Sequence, residues 1–227
     1  MSDVHNIMNI DVSAWVDRAK NDPVTHLQRQ AAEITLNAIA MTSPLKEQLV
    51  LKGGVLMGLA YGSPRQTSDI DLTAAFVADP SVDKRIEMML DAAFPKVAAK
   101  LGYPDIVLKT HSVKKKPKPT TFDTASFPAL KMKVGYAKRW TKEAENLLKN
   151  KAINSMFEID ISFNETLQHT QVLSLTGGGD LLAYDLIDLI AEKFRAMLQQ
   201  IERNRNRRQD VYDLNVLISH EAIGHAD

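Results

Sequence analysis

The sequence predicts an α+β core followed by an α-helical C-terminal region. Three observations carry this reading. Apolar residues recur at helical spacing over roughly residues 23–42 and 83–101, alternate with polar ones over 106–113, 129–136 and 157–163, and return to helical spacing in the last third, in pieces near 180–204 and 208–220.

Each element follows from local signals. Asn21-Asp22-Pro23 offers a capping carboxylate and a proline at the first helical position, ahead of Leu27, Ala31, Ile34, Ala38 and Met41. Gln48-Leu49-Val50-Leu51 reads as a strand stopped by Gly53-Gly54, and Val55 to Tyr61 as a short buried helix broken by Gly62-Ser63-Pro64. Asp69 to Phe76 has strand character. The helix over 83–101 contains Pro95, an expected kink, and stops at Gly102. Lys114-Lys115-Lys116-Pro117-Lys118-Pro119 is excluded from any central strand. Phe157 to Phe163 alternates, sending Ile159 and Ile161 to the core and Asp160 to the other face. Residues 1–175 are expected to form the α+β domain, with 176–227 as a helical region packed on it.

Composition excludes several classes. With 227 residues, 44% of them hydrophobic and 25% charged, the chain can bury a core without staples. It has no cysteine, so disulfide frameworks, CxxC pairs and zinc–cysteine clusters are ruled out. The start, MSDVHNIMNIDVSAW, lacks a basic segment followed by an apolar run, and no stretch approaches about eighteen apolar residues. A cytoplasmic protein without a membrane span is expected.

The 28 basic and 28 acidic residues balance overall but not locally. Residues 109–151 hold 12 Lys/Arg and 3 Asp/Glu, between flanks that are net acidic. Such a segment is either a polyanion footprint or a solvated surface insertion. The six histidines, His5, His26, His111, His169, His220 and His225, fall into no ligand spacing and are assigned no role.

The chemistry concentrates around Gly53-Gly54 and three carboxylates. A glycine turn entering a helix offers free N–H groups and a positive dipole end to a phosphate, although many such pairs only punctuate a turn. Asp69 and Asp71 occupy alternate strand positions and so share a face. Two aligned carboxylates repel unless a cation sits between them, and magnesium suits oxygen ligands and nucleotide phosphates. Asp160 adds a third carboxylate on a second strand, a set that matches two-metal phosphoryl transfer. The alternative is that Asp160 is only the outward half of an amphipathic strand.

These residues resemble a known family. Lys52-Gly53-Gly54 with Arg65-Gln66-Thr67-Ser68-Asp69-Ile70-Asp71-Leu72 is similar to the signature of the AbiEii/AbiGii-type nucleotidyltransferase toxins. Phe157-Glu158-Ile159-Asp160 resembles their third-carboxylate strand, Leu189-Ile190-Ala191-Glu192-Lys193 their Ala-Glu-Lys helix, and Arg207 to Leu214 their Arg-x-x-Asp-x-x-Asp-Leu element. The chain departs from the family in Val55-Leu56-Met57, where Thr-Ala-Leu is frequent, so a hydroxyl contact there is lost.

The resemblance implies a DNA polymerase β-like nucleotidyltransferase core with a mixed sheet and helices. It further implies that Asp69, Asp71 and Asp160 bind Mg²⁺, that Lys193 and Asp210 belong to the catalytic pocket, and that Lys52, Gly53, Gly54, Arg65, Ser68 and Arg207 contact the NTP. From the residues alone, Lys193 either snorkels from an apolar helix or points at a triphosphate, and Ser68 is either a phosphate contact or a turn residue. The expected activity is transfer of NMP from an NTP to an acceptor hydroxyl, with the tRNA 3′ end as acceptor and a cognate antitoxin as partner. A small-molecule nucleotidyltransferase of antibiotic type and a non-catalytic nucleotide- or RNA-binding module remain as rivals.

Overall fold

Two residue patterns, period 2 and period 3.6, alternate along this chain, and a sheet flanked by helices is the layer arrangement that buries both. The computed structural model describes residues 6–64, 67, 69–200 and 208–219. The elements run β1 (Ile7–Ile10), α1 (Val12–Asp17), α2 (Pro23–Ala40), α3 (Leu45–Gln48), β2 (Leu49–Lys52), α4 (Gly53–Ala60), β3 (Ile70–Ala74), α5 (Val82–Lys100) and β4 (Ile106–Lys116). They continue with a 3₁₀ turn (Pro119–Thr121), β5 (Ala129–Lys138), α6 (Lys142–Leu148), β6 (Met156–Ser162), β7 (Thr170–Leu175), β8 (Gly179–Tyr184), α7 (Leu186–Leu198) and α8 (Arg208–Ser219). The strands form one mixed sheet in the order β1-β7-β8-β2-β3-β6-β5-β4. No helix among the described residues is long and apolar enough to cross a membrane.

The local signals act as expected at several points. Asp22 caps α2, its carboxylate accepting from the N–H groups of Val24 and Thr25, and Pro23 occupies the first turn. Helix α5 passes through Pro95 and ends just before Gly102. The alternation in β3, β5 and β6 divides the sheet into two faces. Ile70, Leu72, Leu130, Met132, Ile159 and Ile161 are fully buried on one, and Asp71, Lys131, Lys133, Glu158 and Asp160 occupy the other.

Three expectations are corrected. Residues 179–184, read as the start of a helix, are strand β8, which pairs antiparallel with β7 and parallel with β2. A short run such as Leu181-Leu182-Ala183 fits strand or buried helix equally well, so pairing decided it. Helix α7 begins only at Leu186, where the Asp185 carboxylate accepts from Asp188 N–H. The expected division after residue 175 therefore falls in the turn joining β7 to β8.

Second, residues 109–151 are not a surface insertion. They supply most of β4, all of β5 and α6, and so build one margin of the sheet. Lys114, Lys115 and Lys116 do lie in a strand, but β4 is the edge strand, where a chain ending in Lys-Pro is tolerated. Third, Ile7–Ile10 forms a strand beside β7 that no sequence signal marked.

Candidate active site

A single row of charged residues crosses the sheet. Lys52 at the end of β2 lies opposite Asp71 of β3, and Asp71 opposite Asp160 of β6. Asp160 in turn lies opposite Lys131 of β5, and Lys131 opposite Lys114 of β4. Directly paired residues project from the same face, so the register alone gathers a lysine, two carboxylates and two more lysines. Asp69 precedes β3 and is exposed.

The glycine turn touches this row. Gly53 starts α4 with φ +71°, and a Cβ there would overlap the Asp71 carboxylate, lying only 2.8 Å from its Cγ. Both the backbone angle and the close approach require glycine. Gly53→Ala should therefore cost about 2–4 kcal/mol, from left-handed strain plus steric overlap. Thermal unfolding checks this, and an unchanged midpoint would contradict the packing of Asp71 on the turn.

Asp71 sits in concentrated negative charge. Burial first, then Glu192, Asp160 and Asp69, push its carboxyl up to about 6, with Lys52 opposing them. The Lys52 ammonium is buried and donates to Ser162 Oγ at 3.0 Å and Glu165 Oε2 at 2.8 Å, with Glu192 Oε1 at 3.3 Å. Burial drives its pKa down, but Glu192 and Glu165 more than offset this and leave it raised. Glu165 also accepts from Tyr184 Oη at 3.1 Å. Its carboxyl is pushed up by burial, yet Lys52 and the hydrogen bonds hold it below the ordinary value. Lys52 is thus a fixed internal countercharge beside Asp71.

Across the row, the Lys131 ammonium lies 2.8 Å from Asp160 Oδ2 and 3.2 Å from Glu158 Oε2. Asp160 Oδ1 and Glu192 Oε2 are buried with no hydrogen-bond partner among the described residues. A buried, partnerless oxygen on Asp160, directly paired with Asp71, is costly unless a cation satisfies it. The donors are all hard carboxylate oxygens, so this part of the site fits a divalent cation of magnesium type, with Asp71 and Asp160 as its holders.

Among the described residues, three potential ligand atoms come within 4.8 Å of one another only at His169, Asp185 and Asp188. That cluster is a structural tie. Asp185 caps α7, while Asp188 Oδ2 accepts from the N–H groups of Gln168 and His169 at 2.9 and 3.1 Å. Sequence spacing concealed it, because the strand pair β7–β8 separates His169 from the two aspartates.

The C-terminal residues form a second centre. Lys193 on α7 is buried, its ammonium 3.2 Å from Asp210 Oδ1 and 2.8 Å from Asp213 Oδ2 of α8. Burial lowers its pKa, but the two carboxylates reverse this and leave it raised. The preceding residue, Glu192, reaches Lys52, so adjacent positions of α7 link the row to α8.

The structure brings Lys52, Gly53, Asp71 and Asp160 together, and joins Lys193 to Asp210. Gly54 follows Gly53 in the first turn of α4 and is buried. Arg65, Ser68 and Arg207 lie outside the described residues. Sequence reasoning missed Glu165, Lys131 and the contact made by Glu192. Lys131 was legible in principle from strand alternation, whereas Glu165 follows the end of β6 with no periodic signal.

The model of the family described as "Nucleotidyl transferase AbiEii toxin, Type IV TA system" matches residues 34–226, and the chain belongs to that family. Among solved structures it is similar to JHP933 from Helicobacter pylori, at 17% identity over 76% of this chain and 56% of that one, with a TM-score of 0.44. It is also similar to MenT4, nucleotidyltransferase toxin Rv2826c from Mycobacterium tuberculosis H37Rv, at 14% identity over 81% and 57%, with a TM-score of 0.46. The chain thus spans little more than half the length of these two. No curated protein matches it.

Proposed function

We propose that the protein is a toxin that transfers NMP from an NTP to an acceptor hydroxyl, with the tRNA 3′ end as acceptor and Mg²⁺ as cofactor. The observation that carries this reading is the in-register pair Asp71 and Asp160 beside the Gly53 turn, with Asp160 Oδ1 buried and partnerless. Family membership supports the reaction class.

In this reading Asp71 and Asp160, with Asp69 at the rim, hold the cation, which when bound neutralises charge on the triphosphate. The N–H groups of Gly53 and Gly54 at the start of α4 receive a phosphate oxygen. Lys52 stays on Glu165 and Glu192 and limits the repulsion felt by Asp71. The acceptor hydroxyl gives up its proton to solvent and its oxygen bonds to the α-phosphorus, as the bond from that phosphorus to the pyrophosphate leaving group breaks. Arg65, Ser68 and Arg207 are assigned to the nucleotide on the family motif. Lys193 and Asp210 border the pocket through α7 and α8. The partner is a cognate antitoxin, and the site of action is the cytoplasm, where NTP and tRNA pools lie.

RNA as acceptor is supported by the lysines that continue the row to the sheet edge. Lys114 and Lys116 are exposed on β4, and Lys118 follows it. Transfer from each α-labelled NTP to total tRNA tests the proposal. Changing Lys114, Lys116 and Lys118 together to Gln should weaken RNA labelling and reduce the salt slope of binding by about 2–3, one unit per lost phosphate contact. No label on RNA from a folded protein would overturn the RNA acceptor, and label on a small hydroxyl compound with unchanged salt dependence would favour the antibiotic-type reading.

A further inference from the structure

We infer that Lys131 takes the place of a second divalent cation, so that the carboxylate pair Asp71 and Asp160 works with a single ion. This rests on the cation reading above and changes its stoichiometry. In two-ion phosphoryl transfer one ion rides on the nucleotide, and the other sits on the third carboxylate and activates the incoming hydroxyl. Here the third carboxylate already carries a cation of its own.

The placement is set by the sheet. Lys131 and Asp160 are directly paired across β5 and β6, and the next residue of the same row is Asp71. Residues so paired remain within reach of each other whatever the loops do, because the ladder fixes their backbones. The ammonium lies 2.8 Å from Asp160 Oδ2 and 3.2 Å from Glu158 Oε2, held between two carboxylates of one strand.

Asp160 is therefore divided. Oδ2 belongs to Lys131, and Oδ1 is buried with no partner among the described residues. A magnesium ion needs oxygen ligands at about 2.0–2.1 Å, so an ion on Oδ2 would lie against the ammonium and be repelled by it. An ion held by Oδ1 would be clear of the ammonium, and Asp71, directly paired with Asp160, would be its other holder. One ion satisfies the orphaned oxygen, and the lysine supplies the positive charge that a second ion would bring to the acceptor side. Lys52 cannot take this part, because its ammonium is buried on Ser162, Glu165 and Glu192.

Counting bound Mn²⁺ tests this without relying on turnover. The protein is saturated with an NTP analogue bearing an α,β-methylene bridge, and bound Mn²⁺ is measured by electron paramagnetic resonance. Wild type should retain one ion per chain, Lys131→Met two, and Lys131→Arg one, since the guanidinium restores the charge. Two ions in wild type, or one in Lys131→Met, would overturn the inference while leaving the cation site in place. No ion retained by wild type would remove the cation site itself, and the inference with it.

Discussion

Asp71→Asn should abolish NMP transfer and at the same time stabilise the fold. Its carboxyl titrates at about 6 in the folded chain against an ordinary 3.8, the result of burial and of Glu192, Asp160 and Asp69 nearby. Between those values the folded state binds more protons than the unfolded one, so stability falls as pH rises through this window. Above it the ionised group costs on the order of 3 kcal/mol, and an uncharged amide removes most of that. At pH 7.5, urea unfolding of the variant should show a gain of about 1–3 kcal/mol, shrinking toward zero below about pH 4. Transfer should fall by about 10³-fold or more, because the variant lacks a carboxylate proposed to hold the cation. A variant that is less stable at pH 7.5, or that still labels an acceptor, would contradict the placement of Asp71 in the charged centre.

Lys193→Met should be the most destabilising single change in the C-terminal half. The lysine is buried between Asp210 and Asp213, and Asp213 is fully buried. Removing the ammonium takes away the charge that Asp210 and Asp213 share across the two helices, a loss of about 3–5 kcal/mol. Helix α8 is held to α7 across this contact, so its far-UV signal should melt before the sheet does. The pair is also pH-sensitive in a defined direction. Because the lysine pKa is raised, its contribution is complete below the ordinary 10.5 and is lost as pH rises through the higher folded value. Lys193→Arg keeps the charge and separates two roles. Retained stability with lost transfer would mark a direct contact with the nucleotide, whereas retention of both would mark Lys193 as a clamp between the helices.

Much of this molecule is legible one segment at a time. The Asp22-Pro23 start of α2, the Gly53-Gly54 turn, the alternation in β5 and β6 and the helix of residues 82–100 all depend on neighbours within a few positions. Their physics is local: capping, backbone freedom and which side of a strand a side chain occupies. The carboxylates were legible for the same reason, since an Asp beside Ile159 and Ile161 can only face away from the core. The family motifs added roles that spacing alone leaves open, above all for Lys193 and Asp210.

What lay hidden depends on pairing between distant segments. Residues 179–184 are a strand because β2 and β7 accept them, and the basic stretch 109–151 is a sheet margin because β6 has an open edge. Lys131 meets Asp160 and Glu165 meets Lys52 through register and burial, 29 and 113 positions apart in the chain. By itself the sequence determined the strongly patterned elements, such as α2, α5, β5 and β6, and the carboxylates that face away from the core, because dihedral preference and side-chain alternation are properties of short segments. Only the tertiary structure decided which charges neutralise which, because the energy of an ion pair depends on distance and burial, and neither exists until the strands have paired.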